Sequence, residues 1–304
     1  MSSRIRPGRS ASREVQRIAR KRLAKARVAL NQPARQRDKG VHQARKRIKE
    51  ARALLRLVRK PLGKRYQIEN QRLRDAARLL SELRDSAALV EAWDRLMAES
   101  KSAPGTMSDI RRRLAERPMG VRHSANQSVG EALALLDKVE AAVLDWPLEG
   151  KGFALFESSL RKTLTDGRNA LTVAEAEPSA DNLHEWRKRV KDQWYQSRYL
   201  SDAWPEVFML RVEQLKRLSQ LLGDDHDLSM LQDAAVSQPT LFGSDADRRA
   251  VENLISSRRS DLQQQAFELG RKLYTETPRA LCKRWEKYWD QARVDGRSNK
   301  SSGR

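Results

Sequence analysis

The chain repeats itself. At an offset of 142 positions, Val41/Leu183, His42/His184, Arg45/Arg187, Lys46/Lys188, Arg47/Arg189, Ile48/Val190, Lys49/Lys191, Glu50/Asp192 and Arg56/Arg198 correspond. The register continues without a gap through Leu73/Leu215, Arg74/Lys216, Leu80/Leu222, Asp85/Asp227 and Leu89/Leu231. At an offset of 141 an earlier pair of segments aligns, with Val15/Phe156, Arg20/Arg161, Arg27/Arg168 and Leu30/Leu171. Self-similarity over three successive segments confines the fold to two copies of one unit. It predicts duplicated domains packed with approximate two-fold symmetry.

Each unit reads as helical. Apolar residues recur at three- and four-residue spacings over about 12–30, 38–60 and 65–100, and helical material resumes up to Trp146. "WPLEGKG" at 146–152 is the boundary signal. Further helices are expected at about 153–174, 180–202, 205–235, 245–274 and 278–293, with Asp181 or Asn182 capping the second of these. No run alternates with a period of two, so the fold class is all-α, with two helical bundles. The expected division is a disordered basic tail over 1–12, a first bundle over 13–146, a linker over 147–152, a second bundle over 153–293 and a disordered tail over 294–304.

Charge narrows the partner. The net charge is +21 over 304 residues, yet residues 1–65 hold 23 Lys and Arg against Glu14, Asp38 and Glu50. That asymmetry points to a polyanion: nucleic acid, an anionic membrane or another phosphate polymer. One cysteine, Cys282, leaves no disulfide framework and suits a reducing compartment. It is read as passive, because no motif activates it. No segment has the apolar length to span a bilayer, and the N-terminus lacks a signal-peptide apolar region. A cytoplasmic protein without membrane attachment is expected.

Residues 41–60 carry eight Lys and Arg against one Glu. His42, Arg45, Lys49, Arg52 and Arg56 fall within one helical sector of roughly 80°. Val41, Ala44, Ile48, Ala51, Leu55 and Val58 fall in the adjoining sector, so the basic stripe borders the core. His184, Arg187, Lys191 and Arg198 take the same places in the second unit, with Trp194 opposite Arg52. Arg20 and Arg27, and Arg161 and Arg168, are each seven apart and share a face. Arg74 and Lys216, matched by the repeat, complete the candidate set. Converging helices would line a cleft with cations, costly unless an anion fills it. A linear phosphate chain is narrow enough to thread it. Lys46, Arg47, Lys188 and Arg189 point away and are left to solvent. Asp85 and Asp227 are assigned to orienting a basic residue.

Other signals are weaker. The seven tryptophans are read as core fillers, since aromatic residues make up only 6% of the chain. No phosphate-binding glycine loop, zinc-protease helix or nucleophile elbow is present. "GDDHD" at 223–227 faces "SELRD" in the first unit and is read as a helix segment with one structural acid rather than a metal site. No cofactor and no catalytic residue are expected.

The duplicated His-x-x-Arg-x-x-x-Lys, "HQARKRIK" and "HEWRKRVK", resembles the CHAD family, the conserved histidine α-helical domain. "LLSELRDSAAL" and "LLGDDHDLSML" resemble that family's leucine-rich segment ending in Asp. The likeness covers roughly 13–290. It implies two tandem four-helix bundles enclosing a basic central pore, non-catalytic binding of inorganic polyphosphate, and association with polyphosphate granules. By motif match the ligand role falls on His42, Arg45, Lys49, Arg52, His184, Arg187 and Lys191. Glu50 and Asp192 stand where a second basic residue is common, and Trp194 stands opposite Arg52. The strand signature of the triphosphate-tunnel domain attached to some family members is absent. A nucleic-acid-binding protein using the basic N-terminal region and a metal-dependent polyphosphate-processing enzyme are the alternatives, and weak nonspecific nucleic-acid binding is expected beside polyphosphate. Binding is expected to tighten at mildly acidic pH through charged His42 and His184.

Overall fold

The structure is a computed structural model that describes residues 3–81, 85–99, 107–116 and 125–301. Every regular element among them is helical. The first repeat forms α1 (Ala11–Leu30), α2 (Arg37–Leu57), the short α3 (Arg59–Leu62), α4 (Lys64–Leu79), α5 (Asp85–Glu99), α6 (Met107–Glu116) and α7 (Ala125–Ala142). The second forms α8 (Ala154–Ala176), α9 (Ala180–Leu200), α10 (Pro205–Ser237) and α11 (Asp245–Leu273). A last helix, α12 (Pro278–Ser301), follows.

The ends of these helices follow local chemistry. Ser10 caps α1, Ser179 caps α9 through the Asn182 N–H at 3.3 Å, and Ser244 forms a reciprocal capping box with Asp247 at the start of α11. The cap of α9 is thus Ser179, not Asp181 or Asn182: a serine hydroxyl one residue before the helix reaches the free N–H groups of its first turn. Pro205 opens α10, where its missing N–H costs nothing.

Packing repeats in order. α1 packs on α2 and α4 on α7, while α8 packs on α9 and α10 on α11. The two groups meet where α2 crosses α9 and α8. Val41, Ala44, Ile48, Ala51, Leu55 and Val58 are all buried, as the periodicity of α2 predicts. Ala53, Leu54 and Leu57 are buried as well, because α8 and α9 cover a second face of the same helix. α9 is likewise enclosed, and the Nε2 of its buried Gln196 donates to the Ala53 carbonyl and to Thr163 Oγ1 across the contact.

Three expectations are corrected. Residues 3–10 are packed rather than a loose tail. Ile5 is fully buried and donates its N–H to the Tyr199 carbonyl at 2.7 Å. Arg6 and Arg17 clasp the buried Glu14 at 2.6 and 2.8 Å. One apolar residue and one carboxylate anchor a stretch that composition alone marks as polar. Second, the described apolar residues of α5 and α6 do not join the core of their own repeat. Leu89, Trp93 and Leu96 of α5 and Ile110 and Leu114 of α6 form a cluster with Leu231, Phe242, Val251 and Ile255 of the second repeat. α10 is a single 33-residue helix, and its distal half needs apolar cover that α5 supplies. Third, α12 continues past 293 to Ser301. Its Trp289 packs edge-on against Phe156 of α8, 5.6 Å between centroids.

Charge sits inside this core. Glu50, 1% exposed, faces Arg22 at 3.1 Å, Arg47 at 3.0 Å and Arg198 at 3.7 Å. Asp192 takes Arg56 at 2.9 Å. The pairing is reciprocal, since each repeat's buried acid receives the other repeat's arginine. Arg47, assigned to solvent from sequence, is therefore half-buried on Glu50. Glu50→Ala strands Arg22, itself 4% exposed, without a counter-charge. We expect the substitution to cost about 3–5 kcal/mol, read as a lower urea midpoint at unchanged m-value. A shift below about 1 kcal/mol would show that water reaches these groups in the folded chain.

Candidate functional site

The basic stripe of α2 and α9 divides along its length. Toward the C-terminal ends of the helices, Arg56 and Arg198 are taken up by Asp192 and Glu50. Burial raises the Asp192 carboxyl above its ordinary range, while Arg56, Arg189 and Arg52 oppose that shift. Arg52 donates to Asn70 at 3.1 Å. Burial, reinforced by Arg56 and opposed by Asp192, brings its guanidinium down to about 10, with Arg74 a further nearby cation.

Elsewhere on the stripe, Lys191 and Arg187 of α9 lack such compensation among the described residues. Lys191 is mostly buried and makes no ion pair or hydrogen bond among the described residues. Burial, with the charges of Arg187 on its own helix and Lys49 and Arg45 on α2, lowers its ammonium to about 7. Asp227 is the one opposing charge among the main contributors, and it already accepts from Arg95 at 2.6 Å. Arg187 also makes no ion pair among the described residues, and its Nε is buried without a partner. Its guanidinium lies against Gly223 of α10. A Cβ on that residue would come 2.9 Å from Arg187 Nη2, so only glycine gives the arginine this room. Burial lowers Arg187, with Asp227 and Asp224 pulling the other way.

His184 lies against His226 with the rings tilted, 4.2 Å between centroids, and its Nδ1 is buried without a hydrogen-bond partner. Burial first, then His226, Lys188 and Arg187, lower it to about 4; burial and Arg187 lower His226 as well. Without a ligand, His184 is therefore neutral at mildly acidic pH.

The structure thus brings Arg45, Lys49, Arg187 and Lys191 together at the contact of α2 and α9, with Asp227 facing them from α10. His42 lies exposed one turn before Arg45 on α2. Other candidates stand apart. Arg27 is bound by Asp137 at 2.8 Å and Glu140 at 2.9 Å on α7. Arg20 on α1, Arg161 and Arg168 on α8, and Lys216 on α10 are exposed. None of them is among the charges that dominate at Lys191, Arg187 or Arg52. The seven-residue spacing put them on a face of their helices, but that face is not turned to the α2–α9 contact. The Asp85 side chain lies outside the described residues, as does Arg84.

Sequence reasoning missed Gly223, Arg95 and the anchoring role of Glu50 and Asp192. The last two had a signal: each is the lone acid within a basic run, at matched positions. "GDDHD" holds more than one structural acid, since Asp225 is buried with Arg259 at 3.0 Å and Gln263 at 2.8 Å while Asp227 serves Arg95. Cys282 is buried, and burial lifts its thiol to about 12, a passive residue as read.

The lowered pKa values carry a stability signature. From pH 7 to the ordinary lysine range, the unfolded chain holds a proton at residue 191 that the folded chain lacks, so stability rises with pH across that window. Lys191→Met is expected to raise Tm at pH 6 and to flatten the rise between pH 7 and 10. The neutral His184 ring adds stability above pH 6.5 that is lost as pH falls toward 4. His184→Gln should lessen that acid-side loss. Thermal scans across pH on the two variants check both, and parallel curves for wild type and variant would contradict them.

Comparison with known proteins bears on the fold and the family. The chain superimposes on the crystal structure of the CHAD domain from the plant Ricinus communis with a TM-score of 0.62, covering 90% of this chain and 94% of that one at 14% identity. At that identity the likeness is one of fold. No curated protein sequence matches the chain. The family model of the CHAD domain matches residues 8–236, a span that holds α2, α9 and both copies of the His-x-x-Arg-x-x-x-Lys helix. On that match, the chain belongs to the CHAD domain family.

Proposed function

We propose that this chain binds inorganic polyphosphate, without processing it, in the cleft where α2 meets α9, and that through this binding it associates with polyphosphate granules in the cytoplasm. The observation that carries the reading is Lys191: a mostly buried ammonium without an ion pair, facing Arg187, Lys49 and Arg45. Gathering like charges at a buried contact opposes folding. Such a cluster is explained by a ligand that supplies the missing negative charge. A phosphate chain does so with closely spaced charges on a narrow backbone, and arginine offers it a planar pair of donors. A duplex is too wide to enter between two packed helices. The Asp227–Arg95 ion pair ties α10 to α5 beside Arg187.

A competition titration tests the proposal. Labelled long-chain polyphosphate is bound at physiological salt and challenged with free polyphosphate, duplex DNA and RNA. Free polyphosphate is expected to compete best, and Arg45→Ala/Arg187→Ala to weaken binding at least tenfold. Equal competition by nucleic acid with a double variant that binds normally would move the function to the basic N-terminal region.

Proton linkage gives a second prediction. Polyphosphate favours the charged form of Lys191, so binding above pH 7 takes up a proton that the free protein has released. Affinity is expected to hold from pH 5.5 to 7 and to fall from pH 7 to 9 at fixed salt, with Lys191→Arg removing the fall. Affinity that instead climbs on acidification from pH 7 to 5.5 would return the role to histidine.

A further inference from the structure

α10 has a second charged feature, sixteen residues before Asp227 and so about 24 Å away along the helix axis. Arg211 lies on the wall of a cavity of about 390 Å³, bounded by α10, the C-terminal end of α11 and the start of α12. The cavity walls combine apolar and charged side chains. Phe208 and Trp285 are buried with ring centroids 4.6 Å apart, and Leu273 adjoins them. Leu210 stands at the same cavity with 67% of its surface exposed, an apolar rim left to water.

The charges here are unbalanced. Arg211, Lys272 and Arg284 line the cavity against a single acid, Glu276, and that acid is bonded to Arg284. Arg211 makes no ion pair among the described residues. It donates from Nη1 to the Leu273 carbonyl at 3.3 Å and from Nη2 to Gln193 Oε1 at 3.5 Å, and lies 5.8 Å from the Trp285 ring centroid. A purely structural tie of α10 to the last turn of α11 and to α9 explains those two bonds. It leaves a second N–H on each terminal nitrogen, and it leaves a guanidinium without a counter-ion beside an open cavity.

We propose that this cavity binds a small amphiphilic carboxylate, its head group on the terminal nitrogens of Arg211 and its hydrocarbon body against Phe208, Trp285 and Leu210. Two carboxylate oxygens match the paired N–H groups at the end of one guanidinium. A phosphate group fits less well, since its further oxygens would face aromatic and aliphatic walls without donors. The volume is that of a small-molecule site, predominantly apolar with a few placed polar groups. This site is independent of the α2–α9 cleft.

The test is calorimetric titration of the full chain with decanoate below its micelle concentration, at fixed salt. Saturable binding at one site is expected, at least tenfold tighter than decanamide, which has the same chain without the charge. Arg211→Met should weaken decanoate at least tenfold. Because that change also removes the tie to Leu273, Leu210→Glu is measured beside it. This rim substitution repels a carboxylate without entering the core, and should likewise cost at least tenfold while polyphosphate affinity stays unchanged. Absent saturation, equal binding of decanamide, an unchanged Leu210→Glu affinity, or displacement of decanoate by inorganic phosphate would each overturn the proposal.

Discussion

α2 and α9 are both strongly basic helices, and they cross in the interior of the protein. Two buried acids at matched positions make that crossing tolerable. Glu50 of α2 draws in Arg22 and Arg47 from its own repeat and Arg198 from the other, and Asp192 of α9 draws in Arg56. An ion pair in such a place does not by itself add much stability, because both charges lose water. Its effect is one of registry. Arginines that would repel each other across the contact are held instead on a carboxylate of the opposite repeat, which fixes how far along its length each helix meets the other.

That registry also determines which charges are left over. A stripe that looks uniform in sequence becomes two regions in the folded chain. The part carrying Arg56 and Arg198 is neutralised from within. The part carrying Arg45, Lys49, Arg187 and Lys191 has Asp227 as its main opposing acid, already engaged by Arg95. Lys191 and Arg187, which make no ion pair among the described residues, are where a polyanion has most to contribute. Proton chemistry there belongs to an amine rather than an imidazole. His184 is pressed against His226 and kept neutral, whereas Lys191 is brought close to physiological pH by burial and by its cationic neighbours.

Much of this was legible in the residues. The 142-residue repeat and the 3.6-residue periodicity located α2 and α9 and named six apolar positions along and just after α2 that are buried. They did so because periodicity and burial are local properties of one helix. The resemblance to the CHAD family pointed to the same helices, and the family match agrees with it. Where reading failed, the cause was contact between distant segments. Ser3–Ser10 looked like a tail, since nothing nearby reveals that Ile5 will meet Tyr199. Arg27 looked like a ligand residue, since its partners Asp137 and Glu140 lie more than a hundred positions away.

The sequence by itself determined an all-helical chain, its duplication, and a basic stripe beside an apolar one on the second helix of each repeat. Those follow from side-chain order along a helix, which folding does not change. The tertiary structure decided that Glu50 and Asp192 take up arginines of both repeats, that α5 covers the second repeat's long helix, and that burial brings Lys191 near neutrality while lowering His184. Charge state and pairing depend on burial and on neighbours within a few ångströms. Those neighbours come from helices that the chain brings together only on folding.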